Sequence, residues 1–112
     1  MSFKNASMEK NGRVFLLSLL ELSNAVLAFF YERNMKLGTL AIALPAPANS
    51  QVVTSSILLG GKHMLSARAL AERIAGVFGK MSLASVHVET SEAEGIRIAA
   101  ALLDDLSPKQ NQ

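Results

Sequence analysis

Residues 13–31, RVFLLSLLELSNAVLAFFY, hold two apolar runs, Val14 to Leu20 and Ala25 to Tyr31, separated by Glu21, Leu22, Ser23 and Asn24. Side chains alternate between the two faces of a strand, and here the apolar residues fall on both parities. Two strands of this kind build a sheet that is wetted on neither side, so each face needs a cover. The same stretch has a competing meaning. It follows Lys4, Lys10 and Arg13, and Val26-Leu27-Ala28 is spaced like a signal-peptidase site. A membrane or signal helix would have to bury Glu21, Ser23 and Asn24 at its centre, whereas a hairpin turn leaves them in water. The polar centre therefore predicts a hairpin.

Outward from this pair the strand character continues. After the polar break Glu32 to Lys36, Gly38-Thr39-Leu40-Ala41-Ile42-Ala43-Leu44 sets Leu40, Ile42 and Leu44 on one side and Thr39, Ala41 and Ala43 on the other. Pro45 to Ser50 cannot continue a ladder, and Val52 to Leu59 resumes as a strand. Short connections predict an antiparallel meander over Arg13 to Leu59. Beyond Gly60-Gly61-Lys62-His63-Met64, the stripe Leu70, Ile74, Val77 and Phe78 predicts a helix capped by Ser66 and stopped at Gly79. Met81 to Glu89 alternates as a further strand. Ser91-Glu92-Ala93-Glu94 is a capping box that opens a second helix through Ile96, Ala99, Leu103 and Leu106, closed by Pro108.

The expected fold is therefore α+β: an antiparallel sheet of five to six strands, a meander followed by a β-α-β-α order, with two main helices on one face. One domain spans residues 1–112, with an ordered core of about 13–107 and flexible ends at 1–10 and 108–112. Two helices cover one sheet face, and in so short a chain the second cover is another copy or a relative. Composition agrees, since half the residues are hydrophobic and only 18% charged, below the roughly 25% usual for soluble domains. Periodicity alone does not decide which parity meets the helices.

The chain is poor in reactive chemistry. It has no cysteine, so disulfides, thiolate metal sites and cysteine nucleophiles are excluded. A net charge of +2 spread over scattered basic residues does not suit nucleic acid. His63 and His87 are not at metal-ligand spacing, and Thr54, Ser55 and Ser56 lie in a strand without a nucleophile turn. Gly60-Gly61-Lys62 has glycines and a cation before a helix, which would suit an anion, but lacks the phosphate-loop pattern. No catalytic set, metal or cofactor is expected.

In Leu40-Ala41-Ile42-Ala43-Leu44, Val53-Thr54-Ser55-Ser56-Ile57-Leu58-Leu59-Gly60, Leu70-Ala71-Glu72-Arg73-Ile74-Ala75 and Val86-His87-Val88, the chain resembles the proteasome assembly chaperone 4 family and its chaperone 3 relatives. The resemblance runs from about Val14 to Leu106 and rests on structural, hydrophobic motifs. It implies a sheet of about six strands pairing through its face as a homodimer or a heterodimer with a related chaperone. It also implies binding to core-particle α-subunits during α-ring assembly, a cytoplasmic location and no catalysis. The sixth strand would lie in Ser2 to Lys10 or arise from a break in a longer one. The tail Lys109-Gln110-Asn111-Gln112 lacks the hydrophobic-Tyr-any ending of another class of proteasome chaperones. Physical reasoning places the dimer face on Leu27, Phe29, Leu40, Ile42 and Leu44, and the client contact on the Lys62-His63 loop. The competing functions are a dimeric regulatory scaffold of the roadblock or longin kind, and an anion-binding module using Gly60-Gly61-Lys62.

Overall fold

The apolar pair forms the hairpin that its pattern predicts: β2 (Arg13–Glu21) and β3 (Ala25–Glu32) run antiparallel, with the Leu22 amide donating to the Ala25 carbonyl across the turn. The computed structural model describes residues 2–47 and 53–107. Before the hairpin comes β1 (Lys4–Lys10); after it come β4 (Thr39–Leu44), β5 (Thr54–Leu59), α1 (Met64–Phe78), β6 (Met81–His87) and α2 (Glu92–Leu106). The class is α+β, six mostly antiparallel strands with two helices.

Residues 4–10, expected to be a flexible end or a sixth strand, are the edge strand β1. Asn11-Gly12 explains why. Both residues have positive φ, 54° and 77°, the two-residue hairpin geometry that Asn-Gly favours, and Lys10 lies opposite Arg13. The expected tail at 108–112, with its Pro108 stop, lies outside the described residues, as do Asn49, Ser50 and Val52.

The meander holds from β1 to β3 and breaks there. The sheet order is β1-β2-β3-β6-β4-β5: β6 lies between β3 and β4, parallel to β3 and antiparallel to β4. The reason is the crossover through α1. A helix carries the chain back along the sheet, so β6 runs in the sense of β5 and passes over β4 to reach the open side of β3. The six residues from Arg33 to Gly38 are the connection that steps over the end of β6.

Both helices lie on one face, α1 over β4, β5 and β6, and α2 over β1 and β2. The parity that meets α1 is the small one: Ala41 and Ala43 of β4 and Ser82 and Ala84 of β6 are fully buried. Opposite them α1 presents Ala67, Leu70, Ala71, Ile74 and Ala75. Backbones approach closely enough for the Ser82 hydroxyl to donate to the Ala71 carbonyl at 2.5 Å. Larger residues fill the other half, where Phe15, Leu17 and Leu19 of β2 share the core with Val26 and Phe30 of β3 and with Ile98, Ala99, Leu102 and Leu103 of α2. The helix stripes are thus shifted from the expected ones: Val77 is exposed, and Ile98 and Leu102 carry more of the α2 contact than Ile96 or Leu106.

Helix ends follow the sequence in part. Gly79 stops α1 in the left-handed region at φ 65°, and Ser91 accepts from the Glu94 amide at 3.1 Å. The return half of the capping box is absent, because the Glu94 carboxylate turns to Lys10 and Arg97 instead. The N-cap of α1 is His63, not Ser66, which is already inside the helix.

Where the chain steps over β6 there is no room for a side chain. A Cβ on Gly38 would stand 2.1 Å from the Val86 carbonyl oxygen, whereas one on Gly61 would meet nothing within 4 Å. Gly38→Ala is therefore expected to lower unfolding stability by about 3 kcal/mol or more, and Gly61→Ala by less than about 0.5 kcal/mol. Urea denaturation of the two variants checks this.

Candidate functional site

The sheet face away from the helices is built from the odd residues of β3 and β6 and the even residues of β2, β4 and β5. Register aligns them in rows. Leu20, Leu27, Leu83 and Ile42 stand side by side across β2, β3, β6 and β4, and the next row runs Ser18, Phe29, Ser85 and Leu40. All five residues expected at a dimer face, Leu27, Phe29, Leu40, Ile42 and Leu44, are on this face. None is fully buried, and Leu44 is 49% exposed. Leu16, Leu20 and Leu83 share the face and were not singled out by the sequence pattern. For Leu83 the signal was present in its alternation with Ala84.

The polar groups at the centre of this face are satisfied from within. The Ser18 hydroxyl donates to Asn5 Oδ1 at 2.5 Å and lies 3.1 Å from the Tyr31 hydroxyl, and Ser85 Oγ accepts from the Gly38 amide at 2.8 Å. Phe3 packs edge-on against Phe29 at 6.2 Å between ring centroids. Among the described residues the strands place one Asp, Glu, Lys or Arg on this face, Glu9 on the edge strand, and His87 stands at the end of β6. The centre of such a surface can be dehydrated at low cost, because Ser18 and Ser85 keep their hydrogen bonds within the chain. Six strands about 4.8 Å apart and some 20 Å long present a patch of several hundred Å². A standard interface buries about 800 Å² per partner.

Beside the face, at the end of the sheet, a cleft of about 260 Å³ lies between Leu37-Gly38-Thr39, Gly60-Gly61-Lys62-His63 and Val86-His87-Val88-Glu89. It contains both residues expected to contact a client, and they behave differently. Lys62 is exposed and pairs with Glu89 at 3.2 Å. His63 turns inward and is buried, because it occupies the left-handed N-cap position at φ 63°. Among the described residues its ring nitrogens have no hydrogen-bond partner, and Nδ1 is 3.7 Å from Glu92 Oε1.

The place that the alternative anion-binding reading gave to an anion, before α1, is taken by a side chain of the protein. Glu92, the first residue of α2, accepts from the amides of Leu65 at 3.0 Å and Ser66 at 2.8 Å, and from the Ser66 hydroxyl. One helix thus supplies the carboxylate that caps the other, in the place an external anion would take. Burial pushes the Glu92 pKa up, but the hydrogen bonds from Ser66 and Leu65 outweigh it and hold the carboxyl below its ordinary range. A second polar tie sits at the same end. Arg13 grips Glu32 with two nitrogens, at 3.0 and 2.5 Å, and reaches the Glu89 carbonyl, while the Glu89 amide donates to Glu32 at 2.6 Å. Burial raises the Glu32 pKa and the Arg13 contact lowers it, with a net fall. Glu94 is lowered by Lys10. Among the described residues no three His, Cys, Asp or Glu side chains are grouped so as to hold a metal. No helix of the described residues is long and apolar enough to cross a membrane.

This arrangement has a solved counterpart. A chain from the crystal structure of a chaperone complex for yeast 20S proteasome assembly superposes with a TM-score of 0.65 over 95% of this chain and 96% of that one, at 16% identity. The likeness is one of fold. No family model and no curated protein matches the sequence.

Glu92, Glu32 and Glu94 all have pKa values lowered by folding, so the unfolded chain binds more protons in acid than the native one. The stabilisation they give is complete above the unfolded carboxyl value of about 4.3 and disappears as the pH falls through the lower folded values. Glu92→Gln is expected to cost about 1 kcal/mol near neutrality, the usual worth of a helix cap. It should also make the acid limb of the stability profile shallower. Urea midpoints at neutral and acid pH measure both effects.

Proposed function

We propose that this chain is a proteasome assembly chaperone that acts without catalysis, pairing through the helix-free sheet face and binding α-subunits of the core particle to promote α-ring formation. The observation that carries the proposal is the apolar face itself. Leu20, Leu27, Leu83 and Ile42 stand in one row on the uncovered side of a sheet whose overall fold is shared, over nearly the full length of both chains, with a chain of a chaperone complex for yeast 20S proteasome assembly. A monomer has no use for its largest side chains there, since burying one leucine or isoleucine is worth about 1.5–3 kcal/mol. The near absence of charge suits a second copy, because a two-fold axis would oppose like charges if they were present. A related chaperone with a similar face would also fit. Cytoplasmic action belongs to the same proposal.

Two measurements test it. Tagged protein drawn from its source lysate should recover proteasome α-subunits without mature β-subunits, while light scattering gives twice the chain mass. Recovery of small GTPases instead would favour a regulatory scaffold. Ile42→Asp should yield a folded monomer, because an unpaired carboxylate in the paired face costs several kcal/mol. A folded dimer from that variant would show that the chosen face is the wrong one.

A further inference from the structure

One row of side chains crosses the whole helix-free face, and its two ends differ in size. Ile42 of β4 stands opposite Ser56 of β5, so the row of Leu20, Leu27, Leu83 and Ile42 closes at that edge on an exposed serine. At the other edge Phe3 precedes Lys4, the register partner of Leu19, and so falls beside Leu20. Its ring meets that of Phe29, which fixes it on the same face, and it is 39% exposed. From edge to edge the row therefore reads Phe3, Leu20, Leu27, Leu83, Ile42 and Ser56. Its largest and smallest side chains are at the two ends, and its middle lies between Leu27 and Leu83, on the seam where β3 and β6 run parallel.

This difference decides between two ways of laying a second copy on the face. Sheets packed in aligned fashion keep their strands within about 30° of each other, so a two-fold axis between them runs either across the strands or along them. With the axis across the strands, β1 lies on β1 and β5 on β5. The Phe3 edge is then bulky from both sides and the Ser56 edge thin from both, which leaves a wedge crowded at one side and open at the other. Both copies of Glu9, the one acidic residue that the strands place on the face, also share an edge. With the axis along the seam, Phe3 of each copy meets Ser56 of the other, Leu20 meets Ile42, and Leu27 meets Leu83. Large faces small at both edges, residues of leucine size face each other between them, and the two copies of Glu9 stand at opposite edges. The layer has the even thickness that close packing requires.

We propose that the helix-free face is covered by a second copy of this chain, related by a two-fold axis along the seam of β3 and β6, with Phe3 of each copy packed over Ser56 of the other. The proposal rests on the paired face of the chaperone reading and adds to it the partner, the axis and Phe3, an anchor that lies outside the strands. Phe3 and Ser56 are both exposed in the single chain, so substitutions there act on pairing and leave the fold intact.

The chain has no cysteine, so introduced thiols are unique. Full-length Phe3→Cys and Ser56→Cys chains are mixed, left to exchange partners and treated with a short bifunctional maleimide, and light scattering gives the mass of the unchanged protein. The expected result is twice the chain mass, with covalent dimers from the mixture and none from either variant alone. Phe3→Ser and Ser56→Phe should each weaken dimerisation about tenfold, the loss of one well-packed interface residue. A chain carrying both changes should recover most of that loss, because large again faces small. Linkage of Phe3→Cys to itself, a dimer that does not link in the mixture, or a double variant without recovery overturns the axis and leaves the paired face standing. A monomer overturns the second copy as occupant, while recovery of α-subunits from lysate tests the chaperone role separately.

Discussion

Close packing of α1 on a floor of small residues is the constraint from which the rest of the structure follows. Ala41, Ala43, Ser82 and Ala84 leave no bulk between helix and sheet, and Ala67, Ala71 and Ala75 answer them from above. A helix seated so low cannot share its space with Leu40, Ile42 or Leu83. Alternation along β4 and β6 then commits those large residues to the opposite face. The apolar surface on the helix-free side is thus the other half of one packing decision.

Charge is distributed to match. The ionic ties, Arg13 with Glu32, Lys10 with Glu94 and Lys80 with Glu21, lie at strand ends, turns and helix starts. Most are exposed and each adds little. Their value lies in position. Arg13, Glu32 and the Glu89 backbone join the ends of β2, β3 and β6, and Glu92 joins the starts of the two helices. The centre of the broad face, along Leu20, Leu27, Leu83 and Ile42, carries no charged residue.

Much of this was readable in the residues. The contrast of Leu40, Ile42 and Leu44 with Thr39, Ala41 and Ala43 named both faces of β4, and Glu21 to Asn24 marked the turn. Ser91 marked the start of α2. What could not be read was settled by contacts distant in sequence. No local pattern in Met81 to His87 says that it enters between β3 and β4, since that depends on where a helical crossover lands. Nor does any local signal in Glu92 announce that it caps a helix twenty-six residues earlier. His63 took the cap expected of Ser66 because a left-handed residue after Gly60-Gly61-Lys62 lets the helix begin sooner. β1 had a signal that was passed over: Asn11-Gly12 is a strong hairpin turn, obscured by a strand that is mostly polar.

The central place of β6 has a consequence for biosynthesis. Its neighbours β3 and β4 are made well before it, and both must hold an edge open until the ribosome has released the chain as far as His87. Until then the nascent polypeptide consists of two separate antiparallel pieces, each with exposed backbone donors and acceptors beside leucine-rich strands. Ordering across such sequence distances is slow compared with local structure, and the waiting edges are the kind that aggregate. The last strand to emerge is the one that joins the sheet, so truncation anywhere before it leaves halves rather than a smaller version of the fold.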